Sequence, residues 1–152
     1  IGSSPKLEKN NISESILNNV DYIKNRTSKN VIFNINVLPQ LMVQFNPPLF
    51  DWVMENLLKN ALDAMEGKGS ITVQAKHDEK HIYIDVKDSG KGIPASKFKT
   101  VFEPGYSTKK RGWGLGLTLV KRIVENYHHG KVFVKESEIG KGTTFRIILN
   151  KV

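Results

Sequence analysis

Strand-like alternation in this chain comes in adjacent pairs. Val31, Phe33, Ile35 and Val37 alternate with polar residues, and beyond Pro39 the pattern resumes with Leu41, Val43 and Phe45. Ile71, Val73 and Ala75 are followed, across the polar stretch 77–80, by Ile82, Ile84 and Val86. A last pair spans 131–136 and 143–149, with Gly140 and Gly142 between. A period of two marks half-buried strands, and short polar turns between such runs predict hairpins, including one made of 31–37 and 41–45. Stripes at helical spacing separate the pairs. Ile12, Ile16, Val20 and Ile23 predict a helix over 13–26, and Leu115, Leu119, Val120, Ile123, Val124 and Tyr127 predict another. Between them, Pro47-Pro48 open a long helix to Met65, with Val53, Leu57, Leu58, Ala61, Leu62 and Met65 as its buried stripe and Gly67 and Gly69 as its stop. The order α-β-β-α-β-β-loop-α-β-β predicts an α+β two-layer sandwich, a mostly antiparallel sheet with helices on one face, and excludes a doubly wound α/β fold.

Residues 1–10 hold Gly, Ser and Pro and read as a linker, leaving 11–152 as one domain. The chain opens at Ile1 with no initiator Met and no basic-then-apolar leader, which predicts a piece of a longer protein. The absence of cysteine excludes disulfides, zinc ribbons and thiol chemistry. No run approaches the ~20 apolar residues of a membrane span, so no direct membrane insertion is expected. The net charge of +8 invites a nucleic-acid reading. However, the lysines are scattered, only Lys109, Lys110 and Arg111 run together, and aromatics do not interleave with the basic residues in an obvious recognition pattern. A solvated basic surface is the expectation, and no nucleic-acid partner.

Three stretches carry candidate chemistry. On the long helix Asn56, Asn60 and Asp63 fall at i, i+4 and i+7 and share one face. Asparagine is a poor helix former, so the pair reads either as a polar contact or as oxygen ligands for Mg²⁺, an ion that shares few protein oxygens with substrate phosphates. Asp88 leaves a strand just before Gly90 and Gly92. Its carboxylate can accept from an exocyclic amine, and the glycines would let a flat ring approach the backbone; the plainer reading is a turn capped by its own Asp. Gly112, Gly114 and Gly116 alternate where the third helix begins. Free amides there suit phosphate, unless the glycines are a plain hinge. Glycine and proline punctuate residues 88–114 throughout, a length that marks a functional loop.

Taken in order, these stretches resemble the ATP-binding domain of bacterial sensor histidine kinases, in the superfamily that includes gyrase, heat-shock chaperone and mismatch-repair ATPases. Asn56-Leu57-Leu58-Lys59-Asn60-Ala61 looks like the N box, and Asp88-Ser89-Gly90-Lys91-Gly92-Ile93-Pro94 like the first glycine box. Val101-Phe102-Glu103-Pro104 with Ser107-Thr108-Lys109 looks like the F box. Residues 112–117 look like the second glycine box, and Gly142-Thr143-Thr144-Phe145 like the last one. The resemblance covers residues 11–150. It implies the Bergerat sandwich: a five-stranded type of sheet, three helices on one face and a long mobile ATP lid.

The resemblance also implies ATP and Mg²⁺ as cofactors. Asn60 would hold Mg²⁺, with Asn56 beside it, and Lys59 and Asp63 would join the nucleotide-facing set. Asp88 would take the adenine amine with Thr143 helping through a water, and Ile93 would lie against the base beside Gly90 and Gly92. Thr108, Lys109, Gly112, Gly114, Leu115, Gly116 and Leu117 would surround the phosphates, and Phe102 would anchor the lid. Two departures stand out: Gly105 follows the F-box proline where an aromatic is common, and Asp63 replaces a common basic residue. His77, His81, His128 and His129 all read as surface residues without an acceptor's setting. The implied function is transfer of the γ-phosphoryl of Mg-ATP to a histidine on a separate dimerisation domain of the same kinase, with a response regulator downstream. The implied setting is cytoplasmic, within a parent that can be membrane-anchored, and the isolated domain is expected to be a monomer. Alternatives on the same fold are an ATPase clamp and an anti-sigma type of serine kinase. The clamp needs a water-activating Glu where Asn56 stands; Glu55 is five residues before Asn60 and points about 140° away from it.

Overall fold

The computed structural model describes residues 5–106 and 116–152. Its elements run β1 (Glu8–Asn11), α1 (Ile12–Lys24), β2 (Val31–Val37), β3 (Met42–Phe45), α2 (Pro47–Met65), β4 (Gly69–His77), β5 (His81–Asp88), α3 (Gly116–Arg122), β6 (Lys131–Glu138) and β7 (Gly142–Asn150). Five strands form one sheet in the order β2-β4-β5-β7-β6. Every neighbour pair in it is antiparallel except β2 with β4. Ile71, Val73, Ile82, Ile84, Val86, Phe145 and Ile147 are buried, as are Ile12, Ile16 and Val20 of α1 and Val53, Leu57, Leu58 and Ala61 of α2. The two-layer sandwich is therefore as expected.

The expected β2–β3 hairpin does not form. β2 pairs in parallel with β4, and α2 is part of the crossover that parallel neighbours need. β3 instead joins β1 in a separate two-stranded sheet, with Asn11 opposite Met42. Residues 8–10, read as linker, thus enter the fold as a strand. The cause lies in Ser13, which is buried at the start of α1. Its hydroxyl donates to the Leu38 carbonyl at 2.6 Å and accepts from the Leu41 amide at 3.1 Å, occupying groups on both sides of Pro39. The Leu38 amide is taken by Ala75.

α2 is the axis of the site. Asn46 caps it through a bond from the Leu49 amide at 3.1 Å, and Pro47 and Pro48 occupy its first turn, where an amide hydrogen has no helical partner. At 19 residues it is about 28 Å long. The expected stop at Gly67 is anticipated by one residue: Glu66 holds the left-handed cap conformation at φ 55.

α3 widens at its end into a π-helical turn, Ile123–Tyr127. This brings His128 into the interior, contrary to the expectation of a surface histidine. His128 is 6% exposed. Its Nδ1 lies 2.9 Å from the Ile123 carbonyl, and its Nε2 accepts from the Asn46 amide at 3.0 Å. An amide only donates and a carbonyl only accepts, so the ring is neutral with its proton on Nδ1. It ties the end of α3 to the cap of α2.

Burial holds the His128 pKa below the ordinary histidine value. The unfolded chain then takes up a proton that the folded ring refuses. The associated stability is whole above the unfolded pKa of about 6.5 and is lost as pH falls below it. Thermal denaturation should show the melting temperature dropping between about pH 7.5 and 5.5, and His128→Gln should flatten that drop. An equal drop in the variant would refute the assignment.

Candidate functional site

Two polar clusters lie along α2. The first is Asn56 and Asn60, one turn apart and both half-buried. The Asn56 amide nitrogen donates to the Trp52 carbonyl at 2.8 Å. A carbonyl can only accept, so the Asn56 oxygen Oδ1 must face the other way. It faces α3: a Cβ built on Gly116 would lie 3.3 Å from it. Asn60 makes no side-chain hydrogen bond among the described residues, which leaves its oxygen available. Lys59 does not join this cluster. Its ammonium pairs with Glu55 at 3.2 Å, and its side chain is 59% exposed. Asp63 is exposed on the next turn.

The second cluster is built where β5 ends. Asp88 is 3% exposed, and its Oδ1 accepts from the Gly90 amide at 2.8 Å and the Thr143 amide at 3.3 Å. Burial raises its pKa, and these two amides oppose the rise. No basic side chain pairs with it among the described residues, and Oδ2 is left for another donor. Three contacts fix the loop that follows. The Lys91 amide bonds the Ala64 carbonyl near the end of α2 at 3.0 Å, and the Gly140 amide bonds the Lys91 carbonyl at 2.8 Å. The Ile93 amide bonds Ser137 Oγ at 2.7 Å.

The glycines here serve a different contact from the one expected. A Cβ on Gly90 would strike the Ala64 carbonyl, and one on Gly92, at φ +81, would strike the Glu138 carbonyl. Their missing side chains admit protein backbone, not a flat ring. Gly142 likewise backs onto the Asp88 carbonyl at φ +126. Ile93 is half-buried against the core.

Phe102 closes the far side. It is 6% exposed and meets Phe145 edge-to-face at 5.9 Å, while Thr118 Oγ donates to its carbonyl at 2.9 Å. It sits in the second of two short 3₁₀ turns, Ala95–Lys97 and Thr100–Phe102, so residues 95–106 are more regular than expected. Leu117 packs half-buried on the core. Thr108, Lys109, Gly112, Gly114 and Leu115 lie outside the described residues, and so does the mobility expected of the lid there.

Ser137, unremarked in the sequence, lies at the centre of the second cluster. Its Oγ contacts the Ile93 amide, the Gly142 carbonyl at 2.9 Å and Thr143 Oγ1 at 2.7 Å. The one available signal was a break in alternation after Val132 and Val134, where Glu136, Ser137 and Glu138 follow without an apolar residue.

An acceptor-rich corner thus stands at the end of a central strand, and neutral side-chain oxygens stand on the helix that covers the sheet. Residues 46–152 match the family described as histidine kinase-, DNA gyrase B-, and HSP90-like ATPase, and the chain belongs to that family. Its relatives include sporulation kinases and sensor histidine kinases. Sporulation kinase E of Bacillus subtilis (strain 168) is 35% identical over 145 residues, covering 93% of this chain and 19% of the relative. The chain thus spans about a fifth of that relative's length. The catalytic domain of histidine kinase ThkA superposes with a TM-score of 0.86 at 26% identity, covering 96% of each chain. Full-length ShkA in complex with AMPPNP shares the fold at a TM-score of 0.85 and 21% identity, covering 100% of this chain and 32% of that one.

The glycine contacts yield a stability test. Gly142→Ala should destabilise the domain by roughly 2 kcal/mol or more, because both the backbone angle and the Asp88 carbonyl resist a Cβ. Gly140→Ala, at φ +82 with nothing near it, should cost only about 1 kcal/mol of backbone strain. Urea denaturation of the two variants measures the difference, and equal losses would contradict the close approach.

Proposed function

We propose that this domain binds Mg-ATP and passes the γ-phosphoryl group to a histidine on a separate dimerisation domain of the same kinase, which then serves a response regulator. The observation that carries the reading is the spacing of the two clusters along one helix. The Asp88 loop is bonded to Ala64. Asn60 and Asn56 lie about 6 and 12 Å back along the axis. An elongated ligand with an amine at one end and phosphates at the other fits that layout. The AMPPNP held by ShkA supports the same choice of ligand.

Asp88 Oδ2 takes the adenine amine in this reading, Thr143 assists, and Ile93 lies against the base. Phe102 anchors the loop that covers the nucleotide, and Gly116 opens the helix facing Asn56. Asn60 and Asn56 fit Mg²⁺: they offer neutral side-chain oxygens one helical turn apart, and the ion takes few protein oxygens where phosphates share it. The bound ion would complete its shell with phosphate oxygens and neutralise their charge. The lid residues Thr108, Lys109, Gly112, Gly114 and Leu115, with Leu117, belong to the phosphate end. Lys59 is the weakest member, since Glu55 holds it.

The geometry favours phosphotransfer over hydrolysis. Asn56 stands where a water-activating carboxylate would be, and its amide is spent on Trp52. Glu55 is paired on the helix exterior. The histidines of this chain do not serve as acceptor either. His128 is buried and doubly bonded, His77 contacts Lys151 at 2.8 Å, His81 packs on Tyr83, and His129 follows the π turn at φ 58. No helix among the described residues is long and apolar enough to cross a membrane. The domain works as a cytoplasmic monomer whose acceptor domain lies elsewhere in the parent.

Three measurements test this. The chain alone should bind ATP, hydrolyse it slowly and label itself hardly at all; with its helical partner domain it should form one acid-labile, base-stable phosphohistidine. Brisk turnover would favour the ATPase clamp, and acid-stable phosphate on a partner serine the serine kinase. Asn60→Ala should remove the Mg²⁺-dependent share of affinity while the domain stays folded, as read by a fluorescent ATP analogue with and without the ion. Asp88→Asn should erode the preference for ATP over GTP by roughly 1–3 kcal/mol.

A further inference from the structure

β6 carries an irregularity beside the site. Val132 faces Ile147 and Val134 faces Phe145, but Glu136 faces Thr144 and Ser137 faces Thr143. One extra residue, Lys135, is absorbed between the two registers. In a regular ladder Glu136 would stand opposite Thr143 and point to the core side with Phe145 and Ile147. The bulge sends Ser137 there instead, the re-aiming for which bulges beside binding sites are known. The bulged residue is held on the opposite face. Lys135 Nζ lies 3.7 Å from Asp85 Oδ2, and Asp85 is also gripped by Arg146 through two bonds of 2.8 and 2.9 Å.

The hydrogens at Ser137 can be assigned by counting. A hydroxyl has one donor and two acceptor sites. The Ile93 amide can only donate to Oγ, and the Gly142 carbonyl can only accept from it. The Ser137 hydrogen is therefore committed to Gly142, and one lone pair to Ile93. The remaining lone pair must receive the hydrogen of Thr143 Oγ1, 2.7 Å away. Thr143 then offers lone pairs alone in every other direction. Beside it, Asp88 Oδ1 already accepts from the Thr143 amide.

We propose that Ser137 is a positioning residue that locks Thr143 as a hydrogen-bond acceptor, so that the bulge in β6 sets purine selectivity without touching the base. This rests on the reading of the Asp88–Thr143 corner as the purine end of the site. With the lock in place the corner presents acceptors only. It welcomes an exocyclic amine, directly or through a water, and repels a carbonyl oxygen at the same ring position. Without Ser137 the Thr143 hydroxyl is free to rotate and donate to that oxygen.

ATP and inosine triphosphate differ at this group, an amine in one and a carbonyl in the other. Their affinities for the unmodified chain should differ in favour of ATP. Ser137→Ala should narrow the ratio by about three- to tenfold, the range of one hydrogen bond, and Ser137→Thr, which keeps the hydroxyl, should restore it. Thr143→Ala should narrow the ratio as well, and adding Ser137→Ala to it should change nothing further. A Ser137→Ala variant that weakens both nucleotides equally would overturn the proposal and leave Ser137 as a mere tie for the loop. If Ser137→Ala does not fold, an unchanged ratio in Thr143→Ala overturns it alone. An unmodified chain that does not distinguish the two nucleotides would instead sink the purine reading itself, before any variant is compared.

Discussion

The site depends on the close passage of the β7 backbone over the end of β5. Gly142 lies on the Asp88 carbonyl, and the next residue, Thr143, sends its amide to the Asp88 carboxylate. A side chain at position 142 would separate the two strands' ends and pull that amide away. From this contact the rest follows outward. Ser137 reaches Thr143 and Ile93, the 88–93 loop turns back to meet Ala64, and α2 is thereby fixed relative to the sheet. The candidate site residues among those described thus stand on regular elements, or on a loop bonded to two of them, so that a rigid scaffold presents them.

β5 buries two carboxylates, and their treatment differs. Asp85 faces the outer side of the sheet, with Arg146 bidentate on it and Lys135 nearby. Its charge is met in full by protein, so it acts as a fastener. Asp88, three residues on and therefore on the inner face, receives two backbone amides and no cation among the described residues. A buried carboxylate with a free oxygen carries a desolvation cost that further donors would relieve. Its raised pKa has that origin. The unmet acid, not the well-paired one, marks where a ligand would donate.

Local signals made α2 legible in the sequence: two prolines in the first turn, an apolar stripe from Val53 to Met65 and the glycines that follow it. The face shared by Asn56 and Asn60 followed from the same periodicity. Pairing partners were not legible. Alternation tells which face a residue takes, but not which strand lies beside it, so β2 and β3 read as a hairpin although Ser13 holds their turn open. Ser137 was hidden because a bulge inverts parity for every residue after it. His128 was hidden because the amide that holds its ring belongs to Asn46, 82 positions away in sequence. The glycines of the first box were found by their spacing, yet their neighbours are Ala64 and Glu138, contacts that only tertiary structure reveals.

On the proposed reading, chemistry is divided between this domain and one outside it, and the division is visible in what α2 carries. Asn56 turns its amide to Trp52 and its oxygen to α3, a neutral group fixed in orientation. Glu55, the adjacent carboxylate, is drawn to the exterior by Lys59. Neither can take a proton from a nucleophile beside the phosphates. Phosphoryl transfer needs little covalent help from protein; it needs charge neutralisation and alignment of the entering and leaving oxygens or nitrogens. A domain that binds the nucleotide and withholds a base keeps water a poor acceptor. Transfer then waits on a second domain that brings its own nucleophile into line, so the rate is governed by how the two domains meet.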